Sequence, residues 1–186
     1  DVNLYKAKKL FDKKFDFESE LYCCSFSADT VVYKGLVMPS EFDSFYTDLS
    51  DTSHRTASVM FHIRFSTNTS PKWHLAQPYR VIAHNGEINT ISGNRNWALA
   101  RMNNLSSKRF GNMRKYQPLV NQSGSDSSSL DNMIEVLKEG GVNIGRAARM
   151  LIPPSWQNTD LMDSDEKAFH EYNSCLLYTS DAADDP

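Results

Sequence analysis

Cysteine is scarce in this chain: three among 186 residues, at Cys23, Cys24 and Cys175, with no C-x-x-C pair. That excludes a disulfide framework and gives no thiol spacing suited to zinc or an iron–sulfur cluster. Cys23 and Cys24 are adjacent and would point to opposite faces of a strand. No apolar run is long enough to span a bilayer. The N-terminal stretch is charged and lacks the apolar segment of a secretory signal, so the sequence reads as intracellular. The N-x-S/T matches at Asn68, Asn104 and Asn121 then carry no glycosylation meaning. Basic residues are not concentrated either. Lys and Arg number 20 against 23 Asp and Glu, for a formal net charge of −3. A nucleic-acid partner would need a clustered basic patch. One basic run exists: Lys6, Lys8, Lys9, Lys13 and Lys14 alternate with Leu4, Ala7, Leu10, Phe11 and Phe15. That spacing predicts an amphipathic helix with a solvated lysine face. Asp12, Asp16 and Glu18 interrupt the run and count against a membrane-surface role.

What is present is enough apolar residue for one domain with a real core. After the helix over 4–15, strands are predicted over Leu21–Phe26, Thr30–Met38, Ala57–Phe65 and Tyr79–His84, all rich in β-branched and aromatic residues. A short helix is expected over 40–49, after Pro39. The stretch 66–78 is irregular. Helices are expected over Ile88–Leu105, Ser127–Lys138 and Gly145–Leu151. Gly140-Gly141 and Pro153-Pro154 act as stops. Asp163 or Ser164 caps a last helix, with Glu166 set for a capping box. Strands followed by helices, with hairpin-like connections, argue for an α+β domain with a largely antiparallel sheet. Tyr178–Pro186 turns small, acidic and patternless. It reads either as a frayed tail or as sequence foreign to the domain.

Three clusters could carry chemistry. In the first, Arg64 leaves a core strand into a polar loop with Thr67 and Asn68 beside it. An arginine so placed suits a bidentate clamp on a carboxylate; it could equally be satisfied by loop carbonyls. In the second, His84-Asn85-Gly86-Glu87-Ile88-Asn89 sits at a strand-to-helix junction. The Asn85 side-chain amide and the Gly86 backbone N–H could hold a developing oxyanion, although Asn-Gly is also a common turn dipeptide. In the third, Gly124-Ser125-Asp126, Asp126 could cap the next helix or accept from a substrate ammonium. Clamp, oxyanion donors and ammonium acceptor together suit acyl transfer on an α-amino acid. No Ser or Cys lies in a nucleophile motif. His54, His62, His74 and His170 show no ligand spacing.

Five segments carry a family resemblance: VYKGLVM (32–38), FHIRFSTNT (61–69), WHLAQP (73–78), AHNGEINTISGNRN (83–96) and IPPSWQN (152–158). Together they resemble the class II glutamine amidotransferase domain of the glutamate synthase large subunit, from near the start of the chain to about Leu176. The resemblance implies an N-terminal nucleophile hydrolase fold of four layers, αββα, incomplete at both ends: a partial amidotransferase domain over 1–176 and a non-family tail over 177–186. It also implies a cysteine nucleophile whose own α-amino group is the base. Arg64, with Thr67 and Asn68, would bind the glutamine α-carboxylate. Asn85 and Gly86 would form the oxyanion hole, and Asp126 would take the α-amino group. Glu87 and Arg95 would be supporting residues. Ammonia would travel to a second site and join 2-oxoglutarate. FMN and an iron–sulfur cluster would belong to later regions of a full-length enzyme, and none to this segment. The partners implied are glutamine, the rest of the large subunit and a small electron-donating subunit, in the cytoplasm or, in a plant or alga, the plastid. Residue 1 is Asp1, so the nucleophile and first strands are expected to be missing, and the chain alone is expected not to hydrolyse glutamine. A non-catalytic glutamine-binding module, or the amidotransferase domain of another synthase such as an asparagine synthetase, remain the alternatives.

Overall fold

A computed structural model describes residues 1–15, 21–63, 65, 70–154, 161–176 and 180–181. Its helices are α1 (Val2–Lys14), the single-turn α2 (Phe42–Phe45), α3 (Ile91–Arg101), α4 (Asp126–Gly140), α5 (Ile144–Leu151) and α6 (Ser164–Asn173). Short 3₁₀ turns at Pro39–Glu41, Thr47–Ser50, Trp73–Leu75, Met113–Tyr116 and Ser174–Leu176 join them. No helix among the described residues is long and apolar enough to cross a membrane.

The fold is organised around α4. Its N-cap is Ser125, whose hydroxyl accepts from the Ser128 N–H, satisfying one donor that the first turn leaves open. Its C-terminus stops at Gly141, where φ is +106°, a left-handed conformation that glycine adopts without strain. One side of α4 places Leu130, Met133 and Ile134 against Ile88, Ala98, Val120 and Leu151. Val136 joins a second cluster with Tyr5, Met102, Phe110, Met113 and Leu119, into which α1 packs. Asn143 caps α5 by accepting from Gly145 N and Arg146 N. Asp163 caps α6 by accepting from Glu166 N, as the sequence predicts.

Two expectations are corrected. The lysine face of α1 is not uniformly solvated. Lys8 and Lys9 are buried with Tyr5, whereas Leu10 is exposed. The reason is pairing with a carboxylate on α1, another on α4 and a carbonyl in the loop before α4. Lys8 lies 3.3 Å from Asp12 and 3.6 Å from Glu135, and Lys9 donates to Leu119 O. Buried lysines persist where such partners exist.

The second correction concerns the strands. Among the described residues, none of the four expected segments enters a ladder. The one paired ladder is antiparallel and two residues long, β1 (Glu87–Ile88) against β2 (Ser180–Asp181). Tyr79–His84 instead turns back on itself, with Tyr79 N donating to Ile82 O. The N–H groups of Val81 and Ile82 both go to Asp131 Oδ1, at 2.7 and 3.2 Å. A carboxylate on α4 thus replaces the neighbouring strand that would otherwise satisfy them. The segments over 21–26, 30–38 and 57–63 run without a hydrogen-bonded ladder. They leave Val31, Leu36, Met38, Val59, Met60, Phe61 and Ile63 exposed.

Below α4 lies a buried ionic group. Arg80 donates through Nη1 to Glu135 and through Nη2 to Glu139 at 3.3 Å, and Nη2 lies 3.4 Å from Asp1. Glu135 also faces Lys8, so the group ties α1, α4 and the 79–82 turn together.

Candidate active site

The clusters predicted from sequence fall into two groups. Arg64, Thr67 and Asn68 lie outside the described residues. Asn85, Gly86 and Asp126 are described, and Asp126 is bonded to the same junction at Ile88, two residues beyond Gly86. Asp126, in the first turn of α4, accepts through Oδ2 from the Ile88 N–H at 2.8 Å. Its other oxygen accepts from Ser127 N at 2.6 Å and from Ser127 Oγ at 3.2 Å. The carboxylate is therefore stitched to the far end of the 84–88 junction, two residues beyond Gly86. Ser125, not Asp126, caps α4, so the capping role that the sequence offered Asp126 falls to its neighbour.

The near end of the junction is held by residues that sequence reasoning did not single out. Gln77 donates through Nε2 to His84 O at 2.6 Å and accepts through Oε1 from His84 N at 2.7 Å. Its carboxamide pairs with both backbone groups of His84, as a neighbouring strand would. The His84 ring is in turn 2.9 Å from Ser127 Oγ. Asn85 is exposed and its Oδ1 lies 2.6 Å from His62 Nε2. With its oxygen facing an imidazole N–H, the Asn85 NH₂ is directed elsewhere and is available as a donor. Nothing in local spacing announces His62, Gln77 or Ser127.

The surrounding scaffold is polar and ordered by long-range bonds. Arg95 on α3 donates through Nε to Ser129 Oγ at 3.0 Å and through Nη2 to the carbonyls of Gly124 and Ser125. Arg95 thereby fixes the turn that leads into α4. Gly124 has no room for a side chain: a Cβ there would lie 2.5 Å from Ser128 Oγ and 2.7 Å from Asn121 Oδ1. Tyr79 Oη lies 2.6 Å from Ser125 Oγ. The Lys34 ammonium sits 3.8 Å over the Tyr79 ring and donates to the carbonyls of His74 and Ala76. Burial pulls its pKa down to about 8. Cys23 and Cys24 are free thiols. Burial raises both pKa values, which lowers the thiolate fraction a nucleophile needs.

Residues 1–183 match the family profile of glutamine amidotransferases class-II. The chain belongs to that family. Among curated relatives of this amidotransferase, the NADPH glutamate synthase large chain of Bacillus subtilis is 45% identical over 159 residues, covering 85% of this chain and 10% of the relative. Ferredoxin-dependent glutamate synthase 2 of Synechocystis is 42% identical over 180 residues, covering 95% of this chain and 11% of the relative. The NADH glutamate synthase of Schizosaccharomyces pombe is 40% identical over 176 residues, covering 94% of this chain and 8% of the relative. The amidotransferase chain thus spans about a tenth of the length of the curated relatives it matches.

Proposed function

We propose that the chain is the glutamine-hydrolysing domain of a glutamate synthase, which makes glutamate from glutamine and 2-oxoglutarate. Family membership and the likeness to glutamate synthases using three different electron donors support this. The observation that carries the site assignment is the 2.8 Å bond from Ile88 N–H to Asp126. It ties the Asp126 carboxylate to the junction that holds Asn85 and Gly86, which supports reading Asp126 as the ammonium acceptor. Asp126 receives three donors, and an ionised carboxylate has about four acceptor positions, so one stays open for a substrate α-ammonium.

In this reading Arg64 clamps the glutamine α-carboxylate, with Thr67 and Asn68 as neutral partners. Asn85 and Gly86 donate to the oxyanion as the side-chain amide is attacked, and Asp126 orients the amino group. Attack by a cysteine thiol, released ammonia and hydrolysis of the thioester follow the acyl-transfer logic of this class. In the full-length enzyme the domain would adopt the four-layer αββα arrangement, the segments over 30–38 and 57–63 gaining the ladder neighbours that the described residues do not supply. FMN and the iron–sulfur cluster are assigned to other regions of the large subunit. Among the described residues no three His, Cys, Asp or Glu side chains gather as metal ligands. The partners are the remainder of the large subunit and an electron-donating protein, in the cytoplasm or a plastid.

Steady-state glutaminase kinetics on the full-length enzyme test the reading. Asn85→Ala should lower kcat roughly a hundredfold or more, as loss of an oxyanion donor does, with little change in KM. Arg64→Ala should instead raise the glutamine KM, because an unpaired buried carboxylate costs about 2–5 kcal/mol. Unchanged kcat in the first variant, or unchanged KM in the second, contradicts the assignment.

A further inference from the structure

Asn85 is exposed and Gly86 half-buried. Oxyanion stabilisation depends on donors fixed before the reaction, so the bonds that aim these two matter. The junction is held at two points. Beyond Gly86, Ile88 N–H is bonded to Asp126. Before Asn85, both backbone groups of His84 are bonded to the Gln77 carboxamide, at 2.6 and 2.7 Å. Ser127 closes the ring, lying 2.9 Å from His84 Nε2, 3.4 Å from Gln77 Nε2 and 3.2 Å from Asp126 Oδ1. Gln77 is itself backed by structure. Lys34 holds the carbonyls of His74 and Ala76, immediately before it. Tyr79, two residues after it, is bonded to Ser125 and to Leu75 O.

We infer that Gln77 is a positioning residue for the oxyanion hole: its two-point bond to the His84 peptide sets the direction in which Asn85 and Gly86 donate. The inference rests on the glutamine-hydrolysing reading above. It goes further by assigning catalytic geometry to a residue outside the clamp, oxyanion donors and ammonium acceptor named there. The carboxamide is required because it is donor and acceptor at once. An ionised glutamate of the same length can accept from His84 N–H but turns its second oxygen against the His84 carbonyl. A protonated glutamate restores one O–H donor and one acceptor.

The test is carried out in the full-length enzyme with glutamine as substrate, following glutamate release and, separately, equilibrium binding of glutamine. Gln77→Leu is expected to lower kcat roughly 10- to 100-fold, the scale of a small misplacement of reacting groups, while glutamine affinity stays within about twofold of wild type. Gln77→Glu is expected to be as slow near neutral pH and to regain rate, relative to wild type at each pH, as acidity approaches the carboxyl range of about 4–5. Asn85→Ala, run beside them, separates the two ideas. If Asn85→Ala is slow but Gln77→Leu keeps the wild-type kcat, or loses only affinity, the positioning role is wrong and the glutaminase reading stands. If Asn85→Ala turns over normally, the glutaminase reading itself falls. Should Gln77→Leu fail to fold, the pH profile of Gln77→Glu decides: recovery at low pH supports the role, and a flat ratio to wild type overturns it.

Discussion

The helical region around α4 and the extended region over 21–63 obey different rules. In the first, buried polar groups are paired across elements, although Tyr5 Oη and Arg80 Nε have no hydrogen-bond partner among the described residues. Asn121 meets Ser128 and Asn132, Arg80 meets Glu135 and Glu139, and Asp131 takes two backbone N–H groups. In the second, Phe61 and Ile63 are 78% and 74% exposed, although their residue types suit a sheet interior. A helix satisfies its own backbone and needs only one packed face. A strand has no internal hydrogen bonds and stays incomplete until a neighbour arrives. The contrast shows where this chain carries its own stability and where it depends on ladders that the described residues do not form.

The largest effect should come from the ionic group under α4. Glu135→Ala leaves Arg80 and Lys8 buried without their shared partner, at a cost of about 3–5 kcal/mol; urea unfolding measures it. Midpoints matching wild type would mean that α4 is not the organising element. Gly124→Ala should cost about 1–3 kcal/mol, because the new methyl must displace Ser128 or Asn121; the same denaturation experiment reads it.

A smaller effect is expected from pH. Burial, helped by Glu135, raises the Asp131 carboxyl from 3.8 to about 6. Between those values the folded state binds more protons than the unfolded one, so unfolding free energy should fall as pH rises from about 4 to about 6. Asp131→Asn keeps an oxygen for Val81 and Ile82 and removes the titration. Its stability should be flatter across that window, and an unchanged slope would place the proton elsewhere. The smallest effect in the chain itself should be Phe61→Ala, within about 0.5 kcal/mol, as for other exposed sites. In the full-length protein, where the proposed sheets would bury it, the same change should cost about 3–5 kcal/mol. Equal costs in both settings would erase the contrast between the two regions.

What the sequence disclosed follows the same division. The Asp163–Glu166 cap and the Gly141 stop are short-range signals and could be read directly. Tyr79–His84 looked like a strand because its apolar run is ambiguous, and only the Asp131 carboxylate, about fifty residues on, turns it into a bend. The burial of Lys8 was equally hidden, since Glu135 lies far along the chain. At the proposed site, Asn85, Gly86 and Asp126 take their roles from family likeness, where spacing alone favoured a plain turn and a plain cap. Gln77 was invisible because a side-chain amide bonded to a backbone seven residues away leaves no pattern in the sequence.

The central claim is that Asp126 and the 84–88 junction form one glutamine pocket. The most direct test compares kcat/KM for glutamine with that for its analogue lacking the α-amino group, in the full-length enzyme and in Asp126→Asn. Asparagine keeps an acceptor for Ile88 N–H and removes the charge. The account predicts that wild type favours glutamine and that the variant loses about 2 kcal/mol or more of that preference. An undiminished preference in Asp126→Asn would contradict it.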